Sequence, residues 1–277
     1  MTSDSQNAHA LAAKKYVTAI ARHIEKRELS LAQKQYDLLD IINSSEPEIK
    51  DYRAKAAFFL VSGYCDDENL DSAKKFFDRL VNPEFNGTKG IETFRDDAFK
   101  ALKKLFLFDV RRSISYHADR TGFFRSLAPI ITTILTLLVA VIAFILTQFE
   151  EIPVTYEWKT ILSIINVLII VFLFVHGFGT APIAAKHKEF NKRFNDLKLM
   201  IDRIQDAETL DVFCDAYQSI KDDAPHVFHV LYLLCDKKLR EGDGNKNLPK
   251  HYKRIKRFHR LTQHFMRWEN IITNKVE

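Results

Sequence analysis

The basic side chains Lys250, Lys253, Arg254, Lys256, Arg257, Arg260 and Arg267 all precede the first acid of their stretch, Glu269. Tyr252, Ile255, Phe258, Phe265 and Trp268 are interleaved at helical spacing, so residues 249–274 read as a basic amphipathic helix. Such charge binds anions. An anionic membrane leaflet suits it, at about 1 kcal/mol per basic residue close to the surface. A nucleic acid or an anionic nucleotide could use the same charges. A helix that packs its apolar face on the chain itself and solvates its charges needs neither. Lys250, Lys253, Arg254, Lys256, Arg257 and Arg260 are the candidate lipid- or anion-binding residues.

Catalytic arrangements are missing from the sequence. No Gly-rich loop precedes a Lys-Ser/Thr pair, no His-Glu-x-x-His occurs, and there is no nucleophile elbow. His226 and His229 lie near Cys214 and Cys235, but at no zinc spacing. Cys65, Cys214 and Cys235 are odd in number and form no framework, which fits a reducing compartment. The chain is not expected to be an enzyme, and no catalytic, cofactor or metal residues are assigned.

The polar groups that matter sit in apolar surroundings. Mean hydropathy is −0.17 and 28% of residues are charged, values that hide two apolar stretches. Residues 127–149 carry no charge, and residues 160–185 have only Asn166 and His176 as strongly polar members. About 20 apolar residues cross a ~30 Å hydrocarbon core, and both stretches are long enough. The first begins too far along the chain to be a signal peptide.

Ala128, Thr132, Thr136 and Ala140 recur every fourth residue, a small-residue stripe that lets helices approach closely in lipid. It serves either packing within one subunit or a subunit contact and pore lining. Asn166 suits an interhelical hydrogen bond. His176, nearer the end of its stretch, suits snorkelling to water or proton sensing.

Charge orients these stretches. Arg111, Arg112, Arg120 and Arg125 precede the first; Lys186, Lys188, Lys192, Arg193 and Lys198 follow the second. The connection between them carries Glu150, Glu151 and Glu157 against Lys159, with Tyr156 and Trp158 at an interface. The positive-inside rule puts both flanks, and both termini, in the cytosol. Asn86-Gly87-Thr88, a glycosylation sequon, then has no role.

The fold class expected is all-α: a membrane hairpin of two transmembrane helices flanked by cytosolic helical regions. Residues 1–91 form the first region, 92–206 the hairpin with its long flanking helices, and 207–277 the C-terminal helices.

In the first region Ala13, Val17, Ile20 and Ile24 mark one helix. Ser30-Leu31-Ala32-Gln33 and Ser45-Glu46-Pro47-Glu48 read as capping boxes opening a second and a third. The third would bury Ile49, Tyr52, Ala56 and Phe59, and a fourth Ala73, Phe76, Phe77 and Leu80. Ala32-x-Lys34-x-Tyr36-Asp37-x-Leu39 returns as Ala73-x-Lys75-x-Phe77-Asp78-x-Leu80, either an internal repeat of helical hairpins resembling the tetratricopeptide class or a chance likeness of two amphipathic helices.

After a loop at 82–90, helix resumes near Glu92 and runs toward the membrane, with Pro129 tolerated early in the span. Beyond the second stretch Ile183, His187, Phe190, Phe194, Leu197, Ile201 and Ile204 alternate spacings of four and three. This seam should pack on the segment before the first stretch or on a neighbouring subunit. Helices follow at 209–221 and 225–240, and a loop at 242–247.

The membrane core resembles the SLATT domain family, bacterial two-span modules regarded as effectors in nucleotide-signalled defence. The resemblance covers residues 111–206. It is carried by Ser115-Tyr116-His117-Ala118-Asp119-Arg120-Thr121-Gly122-Phe123-Phe124-Arg125, by the short outer connection, and by Ala184, His187, Phe194 and Leu197 in the helix after the second stretch. The long N-terminal region departs from the compact family core, and no fused nucleotide sensor is recognisable.

The resemblance implies an oligomeric effector of the bacterial inner membrane that permeabilises or depolarises it in anti-phage defence. The alternative expectation is a membrane-tethered scaffold with non-conducting anchors. Expected partners are membrane lipid, further copies of the chain, and a cytosolic protein or nucleotide signal, not nucleic acid; no cofactor is expected.

Overall fold

The computed structural model describes residues 3–42, 46–148, 156–244, 252 and 255–266. Every regular element among them is helical: α1 (Ser3–Glu25), α2 (Leu29–Ile41), α3 (Pro47–Asp66), α4 (Leu70–Leu80), a 3-10 turn at Pro83–Phe85, α5 (Ile91–Gln148), α6 (Tyr156–Arg203), α7 (Ala207–Asp223), α8 (His229–Gly242) and α9 (Arg257–Thr262). The chain divides into two compact units, Met1–Asp109 with Met200–Cys214, and Val110–Leu199 with Asp215–Glu277.

The first unit is built from two helical hairpins, α1–α2 and α3–α4, with α3 also packed on α1 and α2. The repeated residues do the same work in each. Ala32, Tyr36 and Leu39 are buried on α2, and Ala73, Phe77 and Leu80 on α4.

The two turns are alike as well. Arg27 and Glu68 are the chain's non-glycine residues of positive φ, at 60° and 57° among the described residues. Each is followed by an amide that reaches back five residues, Glu28 N–H to the His23 carbonyl at 2.8 Å and Asn69 N–H to the Tyr64 carbonyl at 2.9 Å. This is the Schellman way of satisfying the carbonyls a helix end leaves free. Arg27 and Glu68 stand at the same offset that separates Ala32 from Ala73. The likeness therefore extends to the turns.

Phe76 fills the centre of this unit, edge-on to Tyr36 at 5.3 Å and stacked on Tyr64 at 5.7 Å. Asp40 ties the hairpins, accepting from Arg53 at 2.6 Å and from Arg79 at 3.1 Å.

Several element ends differ from the sequence reading. α2 begins at Leu29 with Glu28 as its cap and no side-chain capping bond, so Ser30 lies inside the first turn. The preceding Schellman turn at Arg27 brings Glu28 to the start of α2 only three residues after α1 ends at Glu25. α3 is capped by Glu46 with Pro47 at its first position, and Ser45 lies outside the described residues. Tyr52 and Phe59 are only half-buried, while Arg53, Leu60, Val61 and Tyr64 join Ile49 and Ala56 in the core.

α5 is continuous from Ile91 to Gln148 and carries Pro129 without a break. Its stretch to Ile145 is long and apolar enough to cross a membrane, the one such helix among the described residues. Across 127–145 only Ile142 is buried among the described side chains, and Leu137 and Phe144 are more than half exposed. A core helix of a globular protein would be covered there. α6 is likewise continuous, with Ile161, Ile164, Val167, Leu168, Ile170 and Val171 exposed.

The C-terminal part departs furthest from expectation. α8 starts at His229 rather than at Pro225. Tyr116 explains the delay, because its hydroxyl donates to the His226 carbonyl and accepts from the Phe228 amide at 3.1 Å, holding this segment extended. The long basic helix is also not continuous. Tyr252 and Ile255 are buried against Val230, Lys256 is extended, and the described helix is the short Arg257–Thr262.

Candidate functional site

The second unit concentrates its polar and aromatic groups where α5 and α6 meet, just before the apolar stretch of α5 and just after that of α6. Asn191 on α6 donates to the Ile114 carbonyl of α5 at 2.8 Å. One turn along, the Nδ1 atoms of His117 and His187 lie 2.9 Å apart. Both residues are almost wholly buried, at 3% and 2% exposure. Aromatic rings enclose them: His117 stacks on Phe190 and on Phe194 at 5.5 Å each, and His187 stacks on Phe124.

Burial holds both imidazoles below their usual pKa. The facing His187 ring and the Arg120 guanidinium add to the effect at His117, and Arg120 and Lys186 add to it at His187. Two neutral rings satisfy each other, one Nδ1–H donating to the bare Nδ1 opposite.

Arg120 is the nearby charge. It is 5% exposed. Its guanidinium lies between the rings of Phe228 and Phe124, at 4.2 and 4.5 Å from their centroids. Its Nη1 donates to the His264 carbonyl at 2.6 Å, while its Nε is buried without a hydrogen-bond partner among the described residues. No carboxylate among the described residues pairs with it. Cation–π contact and a carbonyl therefore hold this charge in place of an ion pair.

A second buried cluster sits on the same face of α5. Asp236 of α8, 3% exposed, accepts from Arg112 at 3.2 Å and from Arg240 at 3.0 Å, and Arg240 also meets the Tyr252 hydroxyl at 3.1 Å. Arg111 makes a two-pronged contact to Asp243, at 2.9 and 3.1 Å. Three of the arginines read as positive-inside markers, Arg111, Arg112 and Arg120, are thus structural ties to α8 and to the segment after it.

The seam residues Phe190, Phe194, Leu197, Ile201 and Ile204 are buried by their own chain, whereas Ile183 is exposed. Phe190 and Phe194 meet His117 of α5, and Phe194 also meets Tyr217 at 5.9 Å. Of the two partners considered for the seam, these two residues take the segment preceding the first apolar stretch.

The small-residue stripe points elsewhere. Thr132, Thr136 and Ala140 are exposed and Ala128 is half-buried, while the more covered face carries Ile131, Leu135, Val139 and Ile142. The Thr132 hydroxyl donates to the Ala128 carbonyl at 2.9 Å. Asn166 is half-buried, and its Oδ1 has no hydrogen-bond partner among the described residues. His176 lies on α6, its side chain outside the described residues.

Of the basic set, Lys256, Arg257 and Arg260 are exposed; Lys250, Lys253 and Arg254 lie outside the described residues. No group of three or more His, Cys, Asp or Glu among the described residues could hold a metal.

The sequence sets His187 in the seam and His117 in the resemblance motif without relating them. Nothing in the sequence shows that the two meet. No family model matches the chain, and neither a curated protein nor a solved structure matches it.

Proposed function

We propose that this chain is a membrane-resident, non-enzymatic effector. Residues 127–149 and 160–185 would both cross the bilayer, copies of the chain would associate through the small-residue stripe, and a triggering signal would lead the assembly to permeabilise the membrane. Both termini would lie in the cytosol of a bacterium, and the role would be in anti-phage defence, as the resemblance to SLATT modules implies.

The observation that carries the membrane reading is the apolar stretch of α5, which the described residues leave almost wholly uncovered, Ile142 apart. The contact between His117 and His187 supports two crossings rather than one. His117 precedes the first apolar stretch and His187 follows the second, and they are in hydrogen-bond contact. A chain that crosses once would leave these residues on opposite sides of the bilayer. The exposed stripe supports association, since its small side chains are left free for a neighbouring helix.

Expression of the whole chain in bacteria with a potential-sensitive dye tests the function. Loss of potential that needs residues 127–185 but no candidate catalytic side chain supports the effector. Full potential, with the triggering signal present, overturns it.

One observation favours a second reading, a tethered scaffold. Leu31, Leu38 and Ile41 of α2 are exposed at spacings that put them on one face, an apolar strip suited to a protein partner. A scaffold would leave membrane potential untouched and lose its partner when Leu38 and Ile41 are made polar.

A further inference from the structure

The residues that end the described chain lie beside the start of the apolar stretch of α5. His264 stacks flat on Phe123, with centroids 3.9 Å apart and planes within 5°. Phe265 meets the same ring edge-on at 5.2 Å, and Arg120 donates to the His264 carbonyl. Phe123 stands four positions before Leu127, about 6 Å along a helix that rises 1.5 Å per residue. A headgroup layer is of similar depth, since the full bilayer exceeds its ~30 Å core by roughly 5–7 Å on each side. Phe265 therefore sits at headgroup depth if α5 enters the membrane at Leu127.

The surface around it has the composition an anionic interface selects. Phe258, Phe265 and Met266 are 58%, 61% and 47% exposed within one short segment, and it is such clustering of large apolar groups, more than any single exposed one, that marks an interaction surface. Lys256, Arg257 and Arg260 are exposed on the same short segment, Arg125 is exposed on α5, and none of these has an ion-pair partner among the described residues. Exposed apolar side chains beside exposed cations fit the boundary between headgroups and acyl chains.

The geometry points to residues 256–266 as a docking element for the anionic leaflet, with Phe265 and Met266 dipping between headgroups and Lys256, Arg257, Arg260 and Arg125 meeting phosphates. The inference rests on the reading of 127–149 as a membrane span. It adds a second attachment, sensitive to lipid charge and to salt, where the spans themselves are sensitive to neither.

The test is hydrogen exchange of the full chain reconstituted in vesicles of phosphatidylcholine alone or with phosphatidylglycerol, with alkaline carbonate extraction of the same vesicles. Amides of 256–266 should gain protection, beyond what the α9 helix gives them in phosphatidylcholine, only with phosphatidylglycerol, and the gain should fade as salt shortens the reach of charge from ~10 Å at 0.1 M to ~3 Å at 1 M. Each basic residue near the leaflet strengthens docking about fivefold, so K256Q/R257Q/R260Q should weaken it on the order of a hundredfold. Equal protection in both lipids overturns the docking in favour of packing on the chain itself, while resistance to carbonate leaves the span standing. Extraction by carbonate overturns the span and the docking with it.

Discussion

His117 and His187 face each other through like atoms, Nδ1 to Nδ1 at 2.9 Å, in a ring of aromatic side chains. Such a pair holds together only if one nitrogen carries a proton and the other does not. The contact is therefore a neutral, directional clasp between α5 and α6, and it ties together the two segments that flank the apolar stretches.

A double-mutant cycle measures the clasp. His187→Ala strands the buried Nδ1 of His117 and opens a cavity, and the stranded group alone costs about 1–3 kcal/mol. Replacing both by Phe removes both polar groups at similar volume and should cost less than either single Ala change. Thermal unfolding of the detergent-solubilised chain reads both. A double Phe variant weaker than the single Ala variants would mean that the hydrogen bond itself holds the helices.

Acid should loosen the same contact. Both imidazoles have pKa values held below the usual range by burial, so the folded state resists the protons that the unfolded chain takes up readily. Stability is full above the unfolded value near 6.5 and falls as pH drops below it, by up to about 1.4 kcal/mol per pH unit for each histidine. Unfolding midpoints recorded across that range should fall in the wild type, and with a shallower slope in H117F/H187F. Equal slopes would place the acid sensitivity elsewhere.

Asp236 and Asp243 allow a contrast within one helix and its end. Asp236 is buried between Arg112 and Arg240, so Asp236→Asn removes the buried charge that two largely buried guanidinium groups share, a loss of about 3–5 kcal/mol. Arg111 and Asp243 form a closer pair, yet both are more than a third exposed. Arg111→Ala should change stability by no more than about 1 kcal/mol. Denaturant unfolding of the two variants should separate them clearly.

The elements of the first unit were legible because their signals are local. Ala73, Phe76, Phe77 and Leu80 share one face of α4, and a short amphipathic helix can bury only that face. The capping box read at Ser30 misled because that residue follows a Schellman turn, whose αL residue Arg27 is no glycine to announce it. The basic C-terminal pattern misled for another reason. Helical periodicity counts Tyr252 and Ile255 as part of one stripe, but their burial under α8 demands extended chain at Lys256. The histidine clasp and the Asp236 cluster join residues far apart in sequence, which periodicity cannot relate.

The stripe on α5 carries the last prediction. Thr132 and Thr136 are exposed in the single chain, while Ile142 on another face is buried. Enlarging them therefore leaves the fold of one copy intact and acts only on what approaches from outside. Thr132→Leu with Thr136→Leu should preserve membrane insertion and unfolding behaviour, and should reduce both cross-linked oligomer and depolarisation, because bulk on a small-residue face separates helices that need close backbone contact. Equivalent changes at Leu137 and Phe144, which are also exposed but already large, should do little. If the double Leu variant depolarises cells as the wild type does, the stripe is lipid-facing and the assembly must form through another surface; if it no longer inserts, Thr132 and Thr136 serve the hairpin itself.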